Sequence, residues 1–175
     1  MLWLKIAGGI VVLVVAYVAV AGAVVARGHV TAVRIALKRP VAEVFAALAD
    51  PVAQTQWRPD LRSVELLPPQ DGKAVWRETT RMGPVSYVVD ESVAGKRRVA
   101  RILDEDVGYR GRWVFDLEPD GAGTRLTITE EGEVTRWMFR ALSPFFSKTA
   151  TLEGYLKALA AKFGEAAQPE VVRRD

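Results

Sequence analysis

Two carboxylates stand where strand alternation would carry them into an apolar interior. In Ala74-Val75-Trp76-Arg77-Glu78-Thr79-Thr80, Trp76 and Glu78 share a face, because successive side chains of an extended chain point to opposite sides. Glu130 shares a face with Leu126 and Ile128 by the same count. A carboxylate in an apolar cavity has a raised pKa, and it can serve as a general acid or base or anchor a polar group of a ligand. The opposing reading is structural. A buried charge is costly unless partnered, and an inward arginine such as Arg101 or Arg112 would supply the partner, or the carboxylate would reach water at the cavity mouth. Structural pairing is the favoured of the two.

Other chemistries lack material. His29 is the single histidine, which leaves almost nothing for an imidazole triad or a zinc site, and it reads as a bystander. The chain has no cysteine, so disulfides, thiolate nucleophiles and cysteine metal sites are excluded. Its glycines punctuate turns and build no phosphate-binding loop. No cofactor or metal is expected. Trp57, Trp76, Tyr87, Trp113 and Phe115 are candidates for an aromatic cavity wall, which suits a flat or hydrophobic ligand, or equally for packed core.

These residues must be positioned by a sheet. Residues 29–37 alternate as a first strand, and Pro40 then opens a short helix whose Val41, Val44, Phe45 and Leu48 share one face before Asp50-Pro51 stops it. Residues 52–56 extend this by a turn, and Arg58, preceding Pro59, is extended or turning. From residue 61 to 134 the period becomes two. Strands are expected at 63–67, 74–80, 85–93, 98–104, 111–117 and 124–134, separated by Gly, Pro and Asp turn residues. Trp113, Phe115 and Leu117 share an apolar face, and Arg112, Val114 and Asp116 a wet one.

The last element spans 136–163, with Pro144 dividing a short first part from a long second part. Leu152, Leu156, Leu159 and Phe163 form one stripe, and Gly164 is placed to end the helix. The stripe needs a partner, and the apolar face of the meander is the surface large enough to provide it. The tail 166–175 is expected to fray.

Ahead of this domain lies an unbroken apolar run at 6–26, between Lys5 and Arg27. A helix of roughly 20 such residues crosses the roughly 30 Å hydrocarbon core with every backbone polar group paired. The rival reading is a cleaved secretory signal, for which Ala19-Val20-Ala21 and Ala21-Gly22-Ala23 offer small-residue sites. The run continues past both sites, so length favours the anchor. Arg27, Arg34, Lys38 and Arg39 outweigh Lys5, which favours a cytoplasmic C-terminal domain unless a signal-like start exports it. The 24 basic and 21 acidic residues are interleaved, which argues against a nucleic-acid footprint. The one local cluster, Lys96-Arg97-Arg98 with Arg101, reads as a solvated hairpin edge.

The expected organisation is an anchor at 1–27, a domain at 28–165 and a tail at 166–175. Within the domain, residues 40–45, 50–57, 113–117, 123–129 and 155–159 resemble the START-related polyketide cyclase/dehydrase superfamily, SRPBCC, over about 30–164. The resemblance implies an α+β helix-grip fold, with a curved antiparallel sheet around a long C-terminal helix and a deep apolar cavity between them. Across the superfamily such cavities hold lipids, sterols, polyketides and other hydrophobic molecules. Some members cyclise or dehydrate polyketides, and many only bind or regulate.

The resulting expectation is membrane-anchored binding of a hydrophobic molecule. Its cavity would be lined by Trp57, Trp76, Glu78, Tyr87, Trp113, Phe115 and Glu130, with the bilayer as a partner through 6–26. Two alternatives stand beside it: an enzyme in which Glu78 or Glu130 handles a proton, and a protein-interaction module with a protein partner.

Overall fold

An N-terminal helix, α1 (Leu2–Val24), leads into strand β1 (Gly28–Leu37) in the computed structural model, which describes residues 2–105, 107–145, 147–166 and 168–172. Helix α2 (Val41–Ala49) follows Pro40, whose missing N–H is no loss at a helix start. The Pro40 carbonyl accepts from the N–H of Glu43 at 3.0 Å and of Val44 at 3.2 Å. Asp50 is extended, and its carboxylate accepts from the Ala53 N–H at 3.0 Å, starting the 3-10 turn Ala53–Gln56.

The meander consists of β2 (Leu61–Gln70), β3 (Lys73–Thr80), β4 (Gly83–Val93), β5 (Arg97–Ile102), β6 (Tyr109–Asp120) and β7 (Gly123–Val134). With a short β8 (Glu170–Val172) they form one antiparallel sheet in the order β2-β3-β4-β5-β6-β7-β1-β8. β2 runs further than the sequence pattern indicates, through Pro68 and Pro69. It is an edge strand with an irregularity between Leu67 and Gln70, where missing N–H groups are tolerated. Asp71 and Gly72 then both take positive φ, 50° and 74°, the geometry of a two-residue hairpin loop.

The core lies between the β1, β6 and β7 end of the sheet and two helices. Val33, Ile35, Leu37, Phe115, Leu117, Leu126 and Ile128 from the sheet meet Val44, Ala47 and Leu48 of α2 and Leu152, Tyr155, Leu156 and Leu159 of α4 (Ala150–Lys162). Completely burying one such aliphatic side chain contributes about 1.5–3 kcal/mol, so this layer fixes the seat of α4. Gly164, at φ 73°, ends the helix, and the Glu165 N–H returns to the Ala160 carbonyl at 2.9 Å.

Three expectations change. The outer face of the sheet is not uniformly wet: Ala32, Val99, Val114 and Thr129 are buried there, flanked by the Arg101–Asp90 and Arg112–Glu131 ion pairs. The element expected at 136–163 is α3 (Trp137–Leu142), a 3-10 turn (Ser143–Phe145) that contains Pro144, and α4. α3 packs on α1 rather than continuing α4. The tail does not fray throughout: β8 pairs with β1, and Glu170 bridges Arg34 at 3.1 Å, which covers an otherwise bare strand edge. The rest of the expected frayed segment, at 167 and 173–175, lies outside the described residues.

Candidate functional site: an aromatic cup with buried arginines

Arg58 and Glu78 meet inside the domain. Arg58 follows the 3-10 turn, held by its own N–H to the Gln54 carbonyl at 2.9 Å, while Glu78 is on the inner face of β3. Arg58 Nη1 donates to Glu78 Oε2 at 2.9 Å and to Gln54 Oε1 at 3.0 Å, and Nη2 donates to Asp60 Oδ2 at 2.8 Å. Trp76 Nε1 donates to the other Glu78 oxygen at 3.0 Å. Each carboxylate oxygen of Glu78 is thus engaged. Burial acts against the Arg58 charge, but the hydrogen bond to Asp60 and the attraction of Glu78 outweigh it and hold the guanidinium above its ordinary pKa. Gln54 is fixed in turn by donating from Nε2 to the Leu48 carbonyl at 3.2 Å.

An aromatic wall surrounds this pair. Trp76 and Tyr87 stack at 5.4 Å across β3 and β4, and Tyr155 of α4 stands edge-on to Trp113 at 5.5 Å. Between them is a cavity of about 60 Å³, lined by Leu48, Gln54, Arg58, Trp76, Glu78, Tyr87 and, from β5, β6 and α4, Arg98, Ala100, Trp113, Phe115 and Tyr155. Burial, with Glu78 nearby, raises the Tyr87 phenol above its usual range. Burial raises Tyr155 as well, so both stay protonated donors.

Arg98 differs from Arg58. It is 7 % exposed, and burial lowers its pKa. Its guanidinium lies 5.7 Å from the Trp76 ring centre, and it makes no hydrogen bond or ion pair among the described residues. The site thus holds a buried cation with no paired carboxylate among the described residues.

Of the residues the sequence singles out, Trp76, Glu78, Tyr87, Trp113 and Phe115 come together around the cavity. Trp57 does not line it; the ring packs edge-on against Tyr155 at 5.4 Å, and its buried Nε1 has no hydrogen-bond partner among the described residues. Glu130 is opposite Trp113 on the inner face, half-buried and outside the lining. The expected arginine partners are also corrected. Arg101 and Arg112 point outward, to Asp90 at 2.7 Å and Glu131 at 2.8 Å, because their strand positions alternate away from Glu78. Arg98 leaves the solvated cluster for the interior, since it lies directly across from inward Phe115. Sequence reasoning missed Arg58, Arg98, Gln54 and Tyr155. Phe115 was a usable signal for Arg98, whereas nothing local marked Arg58.

A second, open cleft of about 910 Å³ lies at the end of the sheet nearest α1, lined by Gly28, His29, Ile102, Gly111, Gly132 and neighbouring strand ends. Ile102 is two residues beyond Ala100 on β5, and Gly111 is two before Trp113 on β6. Ile102 and Gly111 thus bring one side of the cleft to within an inward-facing position of the cavity wall, while Arg101, Arg112 and Glu131 line its other side from the outer face of the sheet. Gly111 and Gly132 face each other across β6 and β7. A Cβ at Gly111 would strike the Glu131 backbone oxygen, so β6 and β7 approach this closely only because residue 111 has no side chain.

The same fold recurs in known proteins. A conserved protein from Geobacillus kaustophilus superposes with a TM-score of 0.65 at 19 % identity, covering 81 % of this chain and 99 % of its own. A START superfamily protein from Mycobacterium smegmatis superposes at 0.60 and 18 %, covering 78 % and 96 %. Zhui aromatase/cyclase from a Streptomyces species superposes at 0.60 and 16 %, again covering 78 % and 96 %. At such identities the likeness is one of fold. No curated protein matches the chain. Residues 27–167 match the family described as polyketide cyclase/dehydrase and lipid transport. With that match spanning the sheet, the cup and α4, the chain belongs to the polyketide cyclase/dehydrase and lipid transport family, on a START-like fold.

Proposed function

We propose that this protein is a membrane-anchored binder of an apolar small molecule that carries an acidic or strongly accepting head group. The observation that carries the reading is Arg98, a guanidinium buried against an aromatic wall without a counter-charge. A ligand carboxylate or enolate would supply that charge, with Tyr87 as a neutral donor beside it, the Tyr155 hydroxyl being turned to Gln54 Oε1 at 3.4 Å. The cavity of about 60 Å³ suits the head alone, and the open cleft of about 910 Å³ at the strand ends, where Ile102 and Leu103 stand among seven charged residues, would receive the rest of the molecule. α1 is long and apolar enough to cross a membrane, and the cleft is lined by the residues that follow it, so an apolar ligand would pass between bilayer and site over a short path. The excess of Arg and Lys after α1 favours a cytoplasmic position for the domain. Proton transfer by Glu78 gains no support from a carboxylate whose two oxygens are both engaged.

Native mass spectrometry of the detergent-extracted full chain tests the reading. A single acidic adduct is expected, and Ala100→Phe, which fills the cavity, should lose it while lipids bound elsewhere persist. A chain without an adduct that also takes up no fluorescent fatty acid overturns the proposal. Stoichiometric capture of a protein with the cavity empty would support an interaction module instead.

A further inference from the structure

The segment from α3 through the 3-10 turn (137–145) has its polarity reversed. In a helix on a water-facing surface the apolar residues turn inward and the charged ones outward. Here Trp137, Met138, Phe139, Leu142 and Phe145 are 42–71 % exposed, and the segment's one charged residue, Arg140, is buried with Ala141. Five large apolar side chains within nine residues form a continuous outward face.

That face continues the surface of α1. Val18, Ala21 and Gly22 are the less exposed residues in the C-terminal half of α1, and with Val25 just past its end their helical spacing marks the stripe that meets α3. Gly22 allows close approach: a Cβ there would lie 2.7 Å from the Trp137 carbonyl oxygen. Tyr17 donates its hydroxyl to the Ala141 carbonyl at 3.3 Å and meets the Phe145 ring at 6.1 Å. Tyr17 is seven residues before Val24, so this contact lies about 10 Å down the helix from its C-terminal end. If the span from Lys5 to Val24 fills the hydrocarbon core, residues on the level of Tyr17 lie inside it.

We infer that α3 and the following turn are a second membrane element, seated in one leaflet beside α1 with Met138, Leu142 and Phe145 toward the acyl chains. The inference rests on the reading of α1 as a membrane helix, and its occupant is the lipid bilayer. Arg136 and Lys148 flank the segment on either side, the arrangement expected where it leaves the hydrocarbon for anionic headgroups. The segment follows directly on Thr135, which lines the open cleft, so the cleft's margin is brought to the lipid surface.

The chain has no cysteine, so a single introduced one reports one position. Met138→Cys, Leu142→Cys, Val14→Cys and Met82→Cys in the full chain would each carry an NBD fluorophore. They are reconstituted in phosphatidylcholine/phosphatidylglycerol vesicles with or without acyl-chain spin-labelled lipid. Each variant is first checked for unchanged circular dichroism. Positions 138 and 142 should show blue-shifted emission and quenching comparable to position 14, while position 82, on the exposed β3–β4 turn, should show neither. Quenching at 14 without quenching at 138 and 142 overturns this inference and leaves the anchor intact. No quenching at 14 overturns both.

Discussion

Arg58 and Glu78, twenty residues apart in the chain, are joined by a 2.9 Å ion pair at 8 % and 9 % side-chain exposure, and both residues line the cup. Removing one partner of such a pair leaves an uncompensated buried charge, which costs about 3–5 kcal/mol. Arg58→Met alone should therefore strongly destabilise the domain. The double variant Arg58→Met with Glu78→Leu should recover a substantial part of the loss, because two matched apolar residues carry no desolvation penalty. Chemical denaturation of the full chain in nanodiscs measures both. Equal loss in the single and double variants would show that the pair is not coupled.

Arg98 sets a separate expectation, on binding rather than stability. A hydrogen bond to a charged group is worth about 1.5–3 kcal/mol net, or roughly 10- to 150-fold in affinity. An apolar acid should bind more tightly than its methyl ester by about that factor, and Arg98→Met should erase the difference. Because burial already opposes the Arg98 charge, the substitution should leave stability unchanged or slightly raised. Titration calorimetry with the acid and the ester reads the effect; an unchanged preference for the acid in Arg98→Met would remove Arg98 from the site.

Gly111 lets β6 and β7 close together by having no side chain. Gly111→Ala drives a Cβ against the Glu131 backbone, and overpacking of that kind costs about 1–3 kcal/mol. Gly132→Ala meets the His29 ring instead, which can turn aside, so its cost should be smaller, and His29→Ala should relieve it. Thermal unfolding of the four chains orders the effects. If Gly132→Ala proved costlier than Gly111→Ala, the backbone contact would not be what keeps residue 111 small.

The sequence by itself determined the apolar span, the alternation of the meander, the stripe on α4 and the inward faces of Trp76, Glu78, Trp113 and Phe115. All of these follow from periodicities of two and 3.6 that a side chain inherits from its own segment. What only the tertiary structure decided depends on segments distant in the chain. Arg58 reaches Glu78 because the 3-10 turn packs against β2, the strand paired with β3, and its position before Pro59 says nothing of that packing. Tail residues 170–172 become a strand because β1 otherwise presents an open edge. The reversed polarity of α3 reads as an ordinary apolar stretch until its position beside Tyr17 and Gly22 shows which residues are covered. Local pattern specifies the face a side chain takes, but its counter-charge, its cover and its solvent are set by whichever element the fold brings opposite.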